Sequence, residues 1–219
     1  MTWIAGSGLL DSWTGPFERA HPAIEVNLHR LGPVAQITRM MRMELDACFT
    51  RAPNKYPSGV RGFEIYRQRL ALALPSEHPL ARHETIDPAL LAGEAFIKTT
   101  PELDMGFFGH TEAVARIGNF IPRVVKRNDE FITVLAYVAH GHGIAVVPEL
   151  MKRMNFYNVV FREIAADPVP YTSVAFVYSV TPSPAASLLI RHMRRHALRN
   201  GGKGTSPPSD GSPKLVFRA

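Results

Sequence analysis

The 219-residue sequence contains a single cysteine, Cys48. One cysteine excludes an internal disulfide and a zinc site built from several cysteines. The sequence also lacks a run of about 20 apolar residues, the length that a membrane-spanning helix requires. Its first residues carry no basic segment and reach Asp11 early, unlike a signal peptide. These absences predict a cytoplasmic protein.

Motifs of catalysis and of metal or nucleotide binding are absent as well. The Gly-Ser-Gly at 6–8 lacks the flanking pattern of a nucleophile elbow. The Gly-His-Gly at 141–143 follows a predicted helix and precedes a strand, the reverse of a phosphate-binding loop. His192 and His196 have the spacing of a helical metal pair, but neighbouring arginines repel a metal. Cys48 lies in an apolar pattern typical of a buried strand. We therefore predict no enzyme, no metal and no cofactor.

Positive charge is in moderate excess, with a net charge of +6. The densest basic run covers residues 191–199, and the last twenty residues add a net +2 from Lys203, Lys214, Arg218 and Asp210. No zinc-finger spacing, leucine zipper or RNA-recognition signature accompanies these charges. We interpret them as a solvated face. Specific DNA binding by this chain alone is not expected.

Helical and strand-like periodicities alternate along the chain. Helices are predicted over residues 8–20, 34–43, 110–120, 130–140 and 183–199. Strands are predicted over residues 24–28, 45–49, 63–74, 96–100, 122–127, 144–147, 159–161 and 172–180. The stretch at 63–74 is predicted to be a strand pair or one bent strand. This alternation predicts an α/β fold with mostly parallel sheets. The segments around Leu74 and 167–170 each connect two groups of elements, which predicts two lobes joined by two crossings.

Loops that follow predicted strands are the candidate ligand contacts, because open α/β sheets bind ligands beyond the carboxyl ends of their strands. Such loops cover residues 3–8, 32–36 and 99–107. Thr99 and Thr100 offer hydroxyl groups there, beside helix N-termini that favour an anion. The alternative that these threonines only cap or turn the chain stays open. Asp129 and Glu130 are predicted to cap a helix rather than to contact a ligand.

An ordered set of motifs gives the chain a specific resemblance. It consists of FERAHP at 17–22, LDACF at 45–49, LALP at 72–75, EHPL at 77–80, DPALLAGEAF at 87–96, VLAYVAHGHGIAVVP at 134–148 and VFR at 160–162. In this order, over residues 8–198, the chain resembles the effector-binding domain of LysR-type transcriptional regulators.

The resemblance implies two Rossmann-like subdomains joined by two crossover strands, a clamshell like that of periplasmic binding proteins. We call residues 1–73 plus 171–198 lobe I and residues 74–170 lobe II, and we expect residues 199–219 to be a disordered tail. The resemblance further implies a small-molecule effector between the lobes, a homo-oligomer of antiparallel paired domains, and DNA binding through a winged helix-turn-helix domain that this chain lacks. We expect the effector to be anionic or strongly polar, because helix N–H groups and the threonine hydroxyls favour such a ligand. We expect effector contacts from Trp3, Ile4, Gly32, Pro33, Thr99, Thr100 and Phe131.

Two positions depart from the family pattern. Pro33 stands where a serine or threonine is usual, so the usual hydroxyl contact to an anion is lost. Met43 stands where glycine is common. A solute-binding protein of a transporter and an enzyme on the same two-lobed fold are the alternatives. The absence of a signal peptide and of a catalytic constellation, respectively, counts against them.

Overall fold

The computed structural model describes residues 8–52, 56–100 and 109–200. Its helices are α1 Leu9–Ala20, α2 Pro33–Met41, α3 His110–Ile117, α4 Phe131–Ala139 and α5 Pro184–Asn200, with three 3₁₀ segments at Pro79–Arg82, Pro88–Leu91 and Glu149–Met154. Its strands are β1 Ala47–Arg51, β2 Val60–Pro75, β3 Thr85–Ile86, β4 Ala95–Thr99, β5 Arg123–Asn128, β6 Ala145–Pro148, β7 Val159–Ile164 and β8 Tyr171–Ser179.

Local sequence signals explain several of these boundaries. The side chain of Asp87 accepts a hydrogen bond from the Ala89 N–H at 2.9 Å, and Pro88 occupies the first position of the 3₁₀ segment. Pro33 opens α2 in the same way. Helix α1 continues through Pro16, although a proline inside a helix is expected to bend or interrupt it. The last helix runs to Asn200 and so includes the first two residues of the expected tail; residues 201–219 lie outside the described residues.

The long strand β2 connects the two lobes. Its first part, Val60 to Arg69, pairs with β8, whereas Leu70 to Pro75 pairs with β6 and β7. Strand β8 continues the sheet to β1. The partner of β2 therefore changes between Arg69 and Leu70, near the start of β8 at Tyr171. The lobe boundaries at 73/74 and 170/171 remain a prediction, because the change of strand partners does not by itself define where one lobe ends.

The expectation of mostly parallel sheets is wrong. Strand β2 runs antiparallel to β6, β7 and β8, and β1 runs antiparallel to β8. Parallel ladders join β3 to β7 and β4 to β5. The reason is that β2 and β8, the strands that connect the lobes, run in the opposite direction to the neighbouring strands. Each of them therefore pairs antiparallel with its neighbours. Alternation of elements along a sequence does not reveal such a reversal.

The predicted strand at residues 24–28 is also absent. Residues 25–32 have no regular secondary structure, although Ile24 and Val26 face inward and Glu25 and Asn27 are exposed, as in a strand. An alternating pattern becomes a strand only when a neighbouring strand satisfies its backbone groups. Within the described part of the chain, no strand pairs with this segment.

The hydrophobic core is continuous across the junction of the lobes. One cluster of buried residues extends from Trp13 in α1 and Phe176 in β8 to Leu135 in α4. A second cluster lies around Phe96 and Leu72, among β2, β4, β6 and α3. Cys48 is buried beside Met40, in accordance with its prediction as a core residue, and burial raises the pKa of its thiol to about 12.

Met43 provides a stability prediction, because it lies in the left-handed region with φ 57° and its side chain is 84% exposed. That conformation costs a non-glycine residue about 1–2 kcal/mol. We expect Met43→Gly to raise the free energy of unfolding by up to about 1 kcal/mol. Glycine relieves the backbone strain, but part of this gain is offset because glycine loses more conformational entropy on folding. Urea denaturation measures the change. Met43→Ala removes the same side chain but keeps the backbone strain, so it should leave stability unchanged; equal effects of both substitutions would contradict the explanation.

Candidate functional site

The ends of β1, β4 and β5 and the N-termini of α2, α3 and α4 supply the residues of the candidate site. Arg30, just before α2 in lobe I, forms an ion pair with Glu130, which immediately precedes α4 in lobe II. This contact brings Gly32 and Phe131, two predicted site residues from different lobes, to the same side of the molecule. Gly32 caps α2, and its carbonyl accepts a hydrogen bond from the Gln36 N–H at 2.9 Å.

Thr99 and Thr100 end β4 and are tied to the start of α4 through Asn128. Thr99 pairs with Asn128 in the β4–β5 ladder, and the Thr100 N–H donates to the Asn128 carbonyl at 3.0 Å. The Asn128 side-chain oxygen accepts a hydrogen bond from the Glu130 N–H at 3.0 Å. The structure thus brings together Thr99, Thr100 and Phe131, which are far apart in sequence. The Thr100 side chain is exposed and Thr99 is half-buried.

A histidine adds to this group from the start of α3. The His110 ring stacks on the Phe131 ring, with 5.9 Å between centroids and 13° between planes. Its Nε2 is buried and has no hydrogen-bond partner in residues 8–52, 56–100 and 109–200. A buried polar atom without a partner is costly, so it marks a position where a ligand group would be stabilised.

Arg51 brings a positive charge to the same region from the end of β1. Burial lowers the pKa of its guanidinium to about 10. Burial, and secondly the charge of Arg51, lower the pKa of His110 well below its usual value. At neutral pH the site therefore combines one partly buried cation with an uncharged imidazole. This arrangement favours an anion with a hydrogen-bonding group.

The remaining predicted contacts lie outside what the structure shows. Trp3 and Ile4 lie outside the described residues, as does the side chain of Pro33. Glu130 occupies the N-cap position of α4, as predicted, but its side chain makes no cap hydrogen bond and pairs with Arg30 instead. The ion pair across the junction competes with side-chain capping, and the Asn128 side chain accepts the N–H of Glu130 itself.

Sequence analysis missed Arg51 and His110. The signal for Arg51 was a lone cation at the end of an apolar strand, but that strand was predicted two residues too early. The signal for His110 was its position after Gly109, at the start of a predicted helix. A single arginine or a single histidine in a sequence does not identify a ligand contact. Only the tertiary fold brings Arg51 and His110 together.

The lowered pKa of His110 predicts a pH dependence of stability. The unfolded chain binds a proton near pH 6.5 whereas the folded chain resists it, so protonation favours unfolding. We expect the free energy of unfolding to be highest above pH 6.5 and to fall toward pH 5, by at most about 1.4 kcal/mol per pH unit for one proton. Urea titrations at several pH values measure this slope. His110→Gln should flatten it, and the exposed His142→Gln should not; a slope that survives His110→Gln would assign it to other groups.

Comparison with known proteins identifies the class of this two-lobed domain. The family model described as "LysR substrate binding domain" matches residues 2–198. The chain belongs to this family, as its motifs indicated. The HTH-type transcriptional regulator XapR of Escherichia coli (strain K12) is 30% identical over 149 residues, which cover 68% of this chain and 50% of the relative. The Hca operon transcriptional activator HcaR of the same organism is 28% identical over 151 residues, 69% of this chain and 51% of the relative.

Solved structures support the same fold. The BenM effector-binding domain with its effector benzoate aligns with a TM-score of 0.73 and 21% identity, covering 95% of this chain and 93% of that one. The effector-binding domain of QuiR in complex with shikimate aligns with a TM-score of 0.75 and 17% identity, covering 87% and 90%. The two-lobed fold predicted from the motifs is thereby confirmed. The chain spans about half the length of the two relatives above.

The described residues include no helix that is both long and apolar enough to cross a membrane. They also contain no cluster of three or more His, Cys, Asp or Glu side chains with the geometry of a metal site.

Proposed function

We propose that the chain is the effector-sensing domain of a LysR-type transcriptional regulator and that it has no catalytic activity. The family match and the relatives XapR and HcaR, both transcriptional regulators, support this proposal. The benzoate and shikimate complexes of structurally similar domains support a small-molecule effector. A protein that controls transcription acts where the DNA is, so we place it in the cytoplasm.

The effector that the site favours is a small organic anion. One observation carries this choice: a partly buried guanidinium, Arg51, lies near a buried imidazole nitrogen of His110 that has no hydrogen-bond partner among the described residues. A carboxylate would pair with Arg51, and a hydrogen-bonding group of the same molecule would reach His110. Thr99 and Thr100 are proposed to donate hydrogen bonds to the same ligand, with Trp3, Ile4, Gly32 and Pro33 completing the site from lobe I and Phe131 from lobe II.

Regulation follows from the position of this site between two lobes. A ligand that contacts both lobes stabilises one angle between them, which shifts the population of domain conformations. In a longer regulator that shift would change how an oligomer lies on DNA, to which it binds through a separate winged helix-turn-helix domain. Antiparallel pairing of two such domains is the assembly we propose.

A ligand screen tests the proposal. The chain is heated with a panel of small organic carboxylates that includes benzoate and shikimate, together with uncharged amide analogues of the same compounds. A ligand at about 100 times its Kd adds about 2.7 kcal/mol to stability, which a thermal-shift assay detects. We expect carboxylates and not their amides to raise Tm. Stabilisation by the amides alone would contradict the proposal that the effector is an anion. Chemical conversion of a ligand would contradict the proposal that the chain has no catalytic activity.

Threonine substitutions test the contacts at the end of β4. Thr99→Val and Thr100→Val keep the side-chain shape and remove the hydroxyl donor. Losing a hydrogen bond to a charged ligand group should weaken binding by about 10- to 150-fold. Calorimetric titration with the carboxylate selected by the screen measures the affinity, and the melting temperature shows whether the fold is intact. A lower melting temperature with unchanged affinity in both variants would assign the threonines a purely structural role.

A further inference from the structure

A cavity of about 280 Å³ in lobe I is lined by three arginines. Arg61 comes from β2, and Arg191 and Arg194 come from α5. Tyr178 of β8 and Ser187 of α5 add two hydroxyl groups to the lining. The volume lies near the lower limit of small-molecule pockets, about 300 Å³, so the cavity suits a small ligand.

The fold brings these side chains together from three elements. Arg61 pairs directly with Tyr178 in the antiparallel β2–β8 ladder, and directly paired residues project from the same face of a sheet. Helix α5 lies on that face, where Arg194 contacts Tyr178. Ser187, Arg191 and Arg194 are spaced by four and three residues, which places them on one side of the helix. The cavity is therefore enclosed between the helix and the sheet.

One of the arginines is already fixed in place. Nη2 of Arg194 donates a hydrogen bond to the Tyr178 hydroxyl at 2.6 Å, and its guanidinium lies 5.7 Å from the centroid of the Phe63 ring. Tyr178 is 6% exposed, and its own O–H donates to no described residue. A charged group and a hydroxyl donor are thus held ready, which lowers the cost of ordering them around a ligand.

No carboxylate balances the three positive charges in the part of the chain that the structure describes. Residues 171–200 contain no aspartate or glutamate. The acidic residue nearest to Arg61 in the sequence is Glu64, which already binds Arg67 through two hydrogen bonds of 2.8 and 3.0 Å. A concave surface lined by charges of one sign attracts ions of the opposite sign. The cavity therefore favours an anion.

We propose that this cavity binds the phosphate group of a small molecule, either inorganic phosphate or a phosphomonoester. A carboxylate offers one negative charge to the three cations, whereas a phosphate group carries about 1.5–2 charges at pH 7 and at least three strong acceptor oxygens. Guanidinium groups bind such oxygens in pairs, with a geometry that a point charge lacks. The hydroxyls of Tyr178 and Ser187 supply further donors.

This phosphate site is separate from the candidate effector site. Arg51 pairs with Val174 in the β1–β8 ladder, and Tyr178 lies four residues further along β8, a distance of about 13 Å. The residues that line the cavity all belong to lobe I, whereas the effector contacts come from both lobes. A phosphate ligand and an effector can therefore be bound at the same time, and each site is tested independently of the other.

Calorimetric titration of the full chain tests the phosphate site. Inorganic phosphate and glycerol 3-phosphate are the probes, and acetate at the same ionic strength is the singly charged comparison. We expect both phosphates to bind and acetate not to bind. The variant Arg61→Gln/Arg191→Gln should bind phosphate at least about 10-fold more weakly, and Tyr178→Phe, which removes only the hydroxyl, about 10- to 150-fold more weakly. The melting temperature of each variant shows whether its fold is intact.

A matched double variant controls for net charge. Arg69→Gln/Arg195→Gln removes one exposed arginine from each of the same two elements, and neither residue lines the cavity. It should leave phosphate affinity within about twofold, because salt screens exposed charges. Tighter binding of glycerol 3-phosphate than of inorganic phosphate would identify a phosphomonoester as the ligand, and the reverse order would identify free phosphate.

Four results would overturn the assignment. Neither phosphate could bind, which would leave the cavity without this ligand. Both double variants could lose affinity equally, which would show a response to net charge alone. Phosphate binding could disappear in Arg51→Met and survive in Arg61→Gln/Arg191→Gln, which would place phosphate in the effector site. A DNA duplex could bind through Arg61 and Arg191 while the small phosphates do not, which would make the DNA backbone the ligand.

Discussion

Arg51→Met is expected to weaken binding of an anionic effector by about 10- to 150-fold, the cost of losing a charge-assisted hydrogen bond. The guanidinium supplies the positive charge of the site, and its lowered pKa shows that burial already disfavours that charge in the free protein. We therefore expect a loss of ligand affinity, and the free energy of unfolding shows whether the fold stays intact. Calorimetric titration with the carboxylate found in the screen measures the first quantity, and urea denaturation measures the second.

A matched substitution separates this contact from the general positive charge of the protein. Arg69→Met removes an exposed arginine from β2 and should leave affinity within about twofold, since salt screens an exposed charge far more than a buried one. Equal losses of affinity in both variants would show that the ligand responds to net charge alone. An unchanged affinity in Arg51→Met would remove Arg51 from the site.

Phe176→Ala should lower the free energy of unfolding by about 3–5 kcal/mol, a large part of the 5–15 kcal/mol of a typical domain. The Phe176 side chain is completely buried in β8 and packs against Phe49 and Phe63, with ring centroids 5.3 and 5.7 Å away. Truncation to alanine leaves a cavity among three strands of one sheet. Urea denaturation followed by circular dichroism measures the loss.

Two controls accompany that measurement. Phe176→Leu keeps most of the volume and should cost less than about 1.5 kcal/mol. Tyr157→Ala removes an aromatic side chain that is 91% exposed and should change stability by less than about 0.5 kcal/mol. If Phe176→Ala cost no more than Tyr157→Ala, the core around β8 would be packed differently from this structure.

Sequence patterns predicted those elements whose signals are local. Asp87 and Pro88 determine where the 3₁₀ segment Pro88–Leu91 begins, through a local cap hydrogen bond and the fixed φ of proline. The glycines that follow α4 determine where that helix ends. The strand expected at residues 24–28 failed because its alternating pattern has no paired neighbour. Strand β2 was predicted from Phe63 to Leu74 as a strand pair or one bent strand, and it is one strand with a register shift between Glu64 and Tyr66.

The candidate site was predictable only in part for a related reason. Thr99, Thr100 and Phe131 follow strands or open helices, so the rule for ligands at strand ends selected them. Arg51 and His110 acquire their properties from tertiary burial, which shifts the pKa of each. A sequence shows that an arginine and a histidine are present, but not that they are close to each other and shielded from water.

The pairing of β8 with both β1 and β2 sets an order of events during synthesis. Strands β1 and β2 are complete by Pro75, but β8, which lies between them, begins only at Tyr171. At about 5–20 residues per second, the ribosome needs about 5–20 s to deliver that central strand. During this interval the first half of β2 has no partner, whereas its second half gains β6 and β7 earlier. The nascent chain therefore depends on its last-made strand, and a stalled or shortened chain exposes two sheet edges that can aggregate.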